Sequence, residues 1–272
     1  MVTQALLAAA AAWLLMTAWM GTAWLFQRRV DNAGWVDVFW TFGTGLCCVL
    51  AAIWPDPGAH PLRQMLVALL AGIWSARLGV HLARRVGGSA EDLRYAELRE
   101  KWGDDFQPRL LRFIMWQPPV TAVLVLSVFC AAHILGEAGL RDIAGLALLG
   151  IAIAGEAIAD DQMRRYKARE DRPPVMEGGL WGRSRHPNYF FEWLGWMAYP
   201  TIAFSLFEPA SWLTILAPTV MYLVLRYGTG VAMTEASMLQ RKGAPFRDYQ
   251  RRVNAFFPSL LPSAPSKIEA TP

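Results

Sequence analysis

The chain has 272 residues, 54% of them hydrophobic and 12% aromatic, with thirteen Trp and a positive mean hydropathy. Ordinary soluble domains need a solvated surface that this composition does not supply, so it points to a membrane. The formal charge of +4 arises from Lys and Arg gathered in a few loops, so a nucleic-acid partner is not implied.

Spanning about 30 Å of hydrocarbon takes roughly twenty apolar residues in a helix. Runs of that kind recur over Ala5–Phe26, Trp35–Trp54, Leu62–Val86, Phe113–Leu135, Ile143–Met163, Tyr189–Phe207 and Ser211–Met233. They predict an all-α integral membrane protein, a bundle of seven transmembrane helices. Of 26 Lys and Arg, Arg63 (at the very start of the third run) and Arg141 belong with the connections after the second and fourth runs, and Arg77 and Arg226 fall well within runs. The other twenty-two all lie on one side of a seven-span chain. The positive-inside rule makes that side cytoplasmic, with the N-terminus outside and the C-terminus inside. The first run lacks a basic n-region and does not read as a cleavable signal. A single transmembrane domain is expected over 1–262, followed by a disordered tail at 263–272. Cys47, Cys48 and Cys130 show neither a disulfide framework nor metal-ligand spacing.

The outer connections PDPGAH, GEAGLRD and FEPA are short and read as chemically empty. The inner loop EDLRYAELREKWGDDF places Tyr95, Leu98, Trp102 and Phe106 at helical spacing opposite charged residues. It reads as an interfacial helix, either packed on the bundle or acting as a lid. The second inner loop, KAREDRPPVMEGGLWGRSRHPNY, is too rich in Pro, Gly and Arg for a continuous helix.

Charges in hydrocarbon are costly and normally mark a protein-lined site. Five clusters stand at the cytoplasmic end of the runs. They are Asp37; Arg77 with His81; Glu156 with Asp160; Asn188 with Glu192; and Arg226. Glu156 and Asp160 share a helix face that continues to Arg164 and Lys167, a stripe suited to a long anion bearing hydroxyls. In SRHPNYFFEW, Pro187 suits a first helical turn and puts Asn188 and Glu192 on one face behind Arg183, Arg185 and His186. Free amides and the positive dipole end make such a turn a phosphate or carboxamide pocket. Arg77 and Arg226 read either as ligand contacts or as partners of acids such as Glu192 and Asp160. Asp37 reads as a site residue or a cap, and His133 as a satisfied packing residue.

GGLWGRSRHPNYFFEWLGW, preceded by DDQMRRYK, resembles the steroid 5α-reductase superfamily, and most closely its bacterial DUF1295 branch of uncharacterised membrane proteins. GWVDVFW, ARLGVHLARR and EDLRY are similar to that branch too. The resemblance implies that helices over 1–135 enclose an apolar substrate cavity, while helices and the C-terminal segment over 140–262 hold NADPH. It implies cofactor contacts from Arg77, His81, Glu156 (an asparagine in the reductases), Asp160, Arg164, Lys167, Asn188, Glu192 and Arg226. Arg185, His186, Tyr189 and Tyr249 belong to the same site. The implied chemistry is hydride addition to the β-carbon of a lipophilic enone such as a 3-oxo-Δ4 steroid. A glutamate and a tyrosine serve the carbonyl in the reductases. Asp37 is the nearest match to the glutamate; the tyrosine position falls on Trp74, and Tyr95 substitutes.

The implied location is the bacterial inner membrane, with lipid and a lipophilic small molecule as partners and no obligatory protein partner. A second reading is a methyltransferase of the isoprenylcysteine carboxyl type using S-adenosylmethionine, similar in its RHP-Tyr loop and fitted loosely by Glu235, Tyr249 and Phe257–Pro258. A third is a lipid-binding or transport protein without catalysis.

Overall fold

The computed structural model describes residues 1–88 and 91–261; the tail expected to be disordered at 263–272 lies outside the described residues. The described residues form helices and no strand: α1 Val2–Val30, α2 Trp35–Ala52, α3 Pro61–Gly87, α4 Leu93–Trp102, α5 Phe106–Ile114, α6 Gln117–His133, α7 Leu140–Ala168, α8 Pro187–Trp196, α9 Ala198–Ala203, α10 Leu216–Tyr227, α11 Val231–Lys242 and α12 Ala244–Arg252. Short 3-10 turns at Gly103–Asp105, Gly179–Gly182 and Pro209–Ile215 join some of them. A helix satisfies its own backbone groups, which hydrocarbon cannot do. Six described helical segments are long and apolar enough to cross a bilayer.

Three expectations change in detail. The run Tyr189–Phe207 is not a continuous helix: α8 ends at Trp196, a turn intervenes at Met197, and the short α9 follows. It is not among the six. The run Ser211–Met233 breaks at Gly228–Gly230, where a Cβ on Gly230 would lie 2.2 Å from the Leu225 carbonyl oxygen. The interfacial helix ends at Trp102 because Gly103 adopts φ 51°, so Phe106 starts a new helix instead of continuing the face of Tyr95.

The chain forms two compact units, Met1–Ala147 with Met197–Val220, and Leu148–Trp196 with the segment from Met221 onward. In the first unit small residues let helices approach closely, the usual basis of packing between membrane helices. A Cβ on Gly45 of α2 would fall 2.1 Å from the Ser75 side chain of α3, and one on Gly79 of α3 would fall 2.5 Å from the Phe42 ring. Buried hydroxyls complete the fit: Thr44 and Thr121 pair at 2.8 Å, and Ser75 donates to the Thr41 carbonyl at 3.1 Å.

The connections expected to be chemically empty are not so. Arg63, at the start of α3, is buried and donates to both oxygens of buried Asp142 at 2.8 and 3.1 Å. It also donates to the carbonyls of Ile134, Gly136 and Glu137, so one guanidinium ties the α6–α7 connection to α3. His133 is buried and satisfied, with its ring nitrogens 2.8 Å from the Phe129 carbonyl and 3.0 Å from the Trp54 carbonyl.

In the second unit Gly155 of α7 lies under the Phe191 ring of α8, where a Cβ would come within 2.3 Å. The loop after α7 is pinned to that helix twice. Gln162 accepts from the Leu180 N–H at 3.0 Å, and the Trp181 indole donates to the Ala159 carbonyl at 3.1 Å. Val175, Phe246, Tyr249 and Val253 form a small core that seats α12 on this loop.

Candidate functional site

In the first unit the start of α2 and the amphipathic α4 converge on Asp37. Asp37 sits in the first turn of α2, where the helix dipole favours an acid. One of its oxygens accepts from Arg94 at 2.8 Å and the other from the Tyr95 hydroxyl at 2.8 Å. Arg94 is braced in turn by Asp92 at 3.0 Å, and Asp92 caps α4 through the Arg94 N–H and takes Arg85 at 3.0 Å. Burial alone would raise the Asp92 pKa, but the charge and hydrogen bond of Arg94, with Arg85 beside it, bring it below the ordinary value. Glu91 grips Arg99 with both oxygens, at 2.9 and 3.0 Å, and accepts the Ala33 N–H at 2.9 Å. Helix α4 is thus fastened over the α1–α2 turn by ion pairs. On α3, Arg77 and His81 lie one turn apart and partly buried, with Trp74 buried one turn before them.

The second unit holds the other group. Glu156 of α7 and Glu192 of α8 are each only 7% exposed, an unusual burial for carboxylates in apolar helices. The Trp196 indole donates to Glu192 at 3.2 Å. Asn188, one turn before Glu192, carries a buried carboxamide oxygen that meets no donor. Asp160 is partly buried, while Arg164 and Lys167 are exposed at the end of α7. Arg164 and Arg165 pair there with Asp161.

The RHP loop is clasped by the C-terminal segment. Arg185 donates from Nε and Nη2 to the two oxygens of Glu235 at 2.7 and 3.0 Å, the bidentate geometry that suits guanidinium and carboxylate. Its Nη1 donates to the carbonyls of Gln250 at 3.0 Å and Val253 at 2.5 Å. His186 donates from Nε2 to Glu235 at 3.0 Å, and Gln250 donates to the same acid at 2.8 Å. A carboxylate can only accept, so the neutral ring carries its proton on Nε2 and leaves Nδ1 bare. Burial lowers the His186 pKa, and the charges of Arg185 and Arg226 act in the same direction against the pull of Glu235. Tyr189 stacks on this ring, with centroids 5.4 Å apart. Tyr249 donates to the Trp181 carbonyl at 2.6 Å, and burial raises its pKa.

Of the residues expected from sequence, Asp37 and Tyr95 meet across 58 positions. Glu156, Asp160, Asn188, Glu192, Arg185, His186, Tyr189, Arg226 and Tyr249 all belong to the second unit. Arg185 and Tyr249 are engaged as fasteners of the loop. Arg94, Asp92, Glu91 and Arg99 were not anticipated, because their charges in EDLRYAELRE resemble a solvated helix face. Glu235 was foreseen only for the methyltransferase reading. The charge run of α4, taken together with a lone acid in an apolar run, is the signal that could have found Arg94.

Six described helical segments long and apolar enough to cross a bilayer define an integral multi-pass membrane protein. The chain matches, over residues 23–253, the family described as "Protein of unknown function (DUF1295)", and it belongs to that family. No curated protein and no solved structure matches it.

Proposed function

We propose that this protein is an NADPH-dependent reductase of the C=C bond of a lipophilic enone, working within the bacterial inner membrane. In this reading seven segments span the bilayer, α8 and α9 together making the sixth, with the N-terminus outside and the C-terminus in the cytoplasm. The segregation of basic residues described above supports that orientation.

The observation that carries the reading is the group on α7 and α8: Glu156 and Glu192 nearly fully buried, beside an Asn188 oxygen that lacks a donor. Buried acceptors are normally hydrogen-bonded, so Asn188 invites a ligand bearing amide or hydroxyl donors. NADPH offers both through its carboxamide and riboses, and when bound it supplies a hydride. Asn188, Glu192, Glu156 and Asp160 accept from those groups. Arg164 and Lys167, exposed at the end of α7, meet phosphates, and Arg226 adds positive charge. His186, neutral and fixed by Glu235, offers Nδ1 as a further acceptor.

One observation favours the methyltransferase reading instead: Glu235 reaches both Arg185 and His186 of the RHP loop, joining the two features that reading shares with this chain.

Thermal stabilisation of the detergent-purified protein separates the two. A ligand that binds the native state at a hundred times its Kd stabilises by about 2.7 kcal/mol. NADPH is expected to raise the melting temperature, and Asn188→Ala and Glu192→Ala to abolish that rise while expressing normally. A rise with S-adenosylmethionine alone refutes the reductase.

A further inference from the structure

This inference rests on the reductase reading and names the group that recognises the substrate oxygen. Hydride addition to the β-carbon of an enone moves electrons onto the carbonyl oxygen. A proton from solvent at the α-carbon then restores the carbonyl. The group that holds the oxygen must therefore donate a hydrogen bond but need not lose its proton. Asp37 and Tyr95 are poorly placed for this. Both Asp37 oxygens act as acceptors, from Arg94 and Tyr95 at 2.8 Å each, and the Tyr95 proton points at Asp37. A ketone is a weaker acceptor than a carboxylate and would compete for that proton at a disadvantage.

One turn further along α2, on the face of Asp37, Trp40 carries an indole N–H that is buried and meets no acceptor. This is not the rule for the tryptophans here. The indoles of Trp19, Trp24, Trp181, Trp196 and Trp212 all donate to protein oxygens. Trp40 packs edge-to-face on Trp74 of α3, with centroids 6.3 Å apart at 88°. The indole thus packs on an aromatic ring, and against such an apolar wall one directed donor discriminates most between ligands.

We propose that the Trp40 indole N–H, rather than Asp37 or Tyr95, binds the carbonyl oxygen of the lipophilic ligand. The substrate class is then a flat apolar molecule carrying a hydrogen-bond acceptor, and Asp37 with Tyr95 serves to fasten α4.

The test uses the full chain in lipid nanodiscs and two probes, cholest-4-en-3-one and cholest-4-ene, which differ only in the oxygen. Wild-type protein is expected to bind the ketone about tenfold more tightly, the worth of one good hydrogen bond. Trp40→Phe is expected to bind both equally and Tyr95→Phe to keep the preference. Retention of the preference in Trp40→Phe, its loss in Tyr95→Phe, or its absence from wild type overturns the proposal. The NADPH melting shift, measured on the same samples, is expected to survive Trp40→Phe and shows that the variant folds. A ketone preference that depends on Trp40 in a protein unmoved by NADPH would support the binding role while removing the reductase reading.

Discussion

Replacing Arg185 by Met tests whether this residue fastens the RHP loop or contacts a cofactor. The side chains of Arg185 and Glu235 are 10% and 14% exposed. Methionine keeps the apolar stem but removes four hydrogen bonds. It leaves the Glu235 charge with only His186 and Gln250, and the carbonyls of Gln250 and Val253 lose a donor. Breaking one side of a buried ion pair costs about 3–5 kcal/mol. At roughly 2–4 °C per kcal/mol for a chain of this size, the melting temperature should fall by about 10 °C. Arg185→Met with Glu235→Leu removes the stranded charge and should recover at least half of the loss. Melting in detergent followed by tryptophan fluorescence reads both effects. A single variant within about 2 °C of wild type, yet blind to NADPH, would refute the fastening role and return Arg185 to the cofactor.

Acid should weaken the second unit through His186. Its folded pKa lies below the ordinary 6.5, so below about pH 6.5 the unfolded chain binds more protons and stability falls, while above it stability is full. His186→Gln should flatten the melting curve between pH 5 and 6.5, and an unchanged fall in that variant would show that another group is responsible. Gly45→Ala should cost about 1–3 kcal/mol by overpacking, since its Cβ would sit 2.1 Å from Ser75. Adding Ser75→Gly should restore most of that, and failure to do so would place the strain elsewhere.

Hydropathy makes most of the architecture legible, because a length of apolar residues is a local property. The same reasoning stumbles at Met197 and at Gly228–Gly230, where composition stays apolar but the helix stops. Asp37 and Glu192 stand out in sequence because charge in an apolar run is rare. Their partners do not stand out. Arg94 and Arg99 lie in a charged loop where any pairing looks equally plausible. Glu235 lies fifty positions from Arg185, and no spacing rule spans that distance. Arg63 and Asp142 read singly as residues of short connections, and only the fold shows that they are a pair.

The interruption at Met197 bears on how the polypeptide is made. The ten residues of α8 and six of α9 are each far shorter than the stretch a translocon releases into lipid unaided. The Met197 carbonyl at the head of α9 accepts both the Thr201 N–H at 3.2 Å and the Thr201 hydroxyl at 2.8 Å. During synthesis, this interrupted piece has to wait for companions already in the bilayer. Substitutions there would yield inverted topological isomers, with the C-terminus stranded on the wrong side, before they yielded unfolded chains.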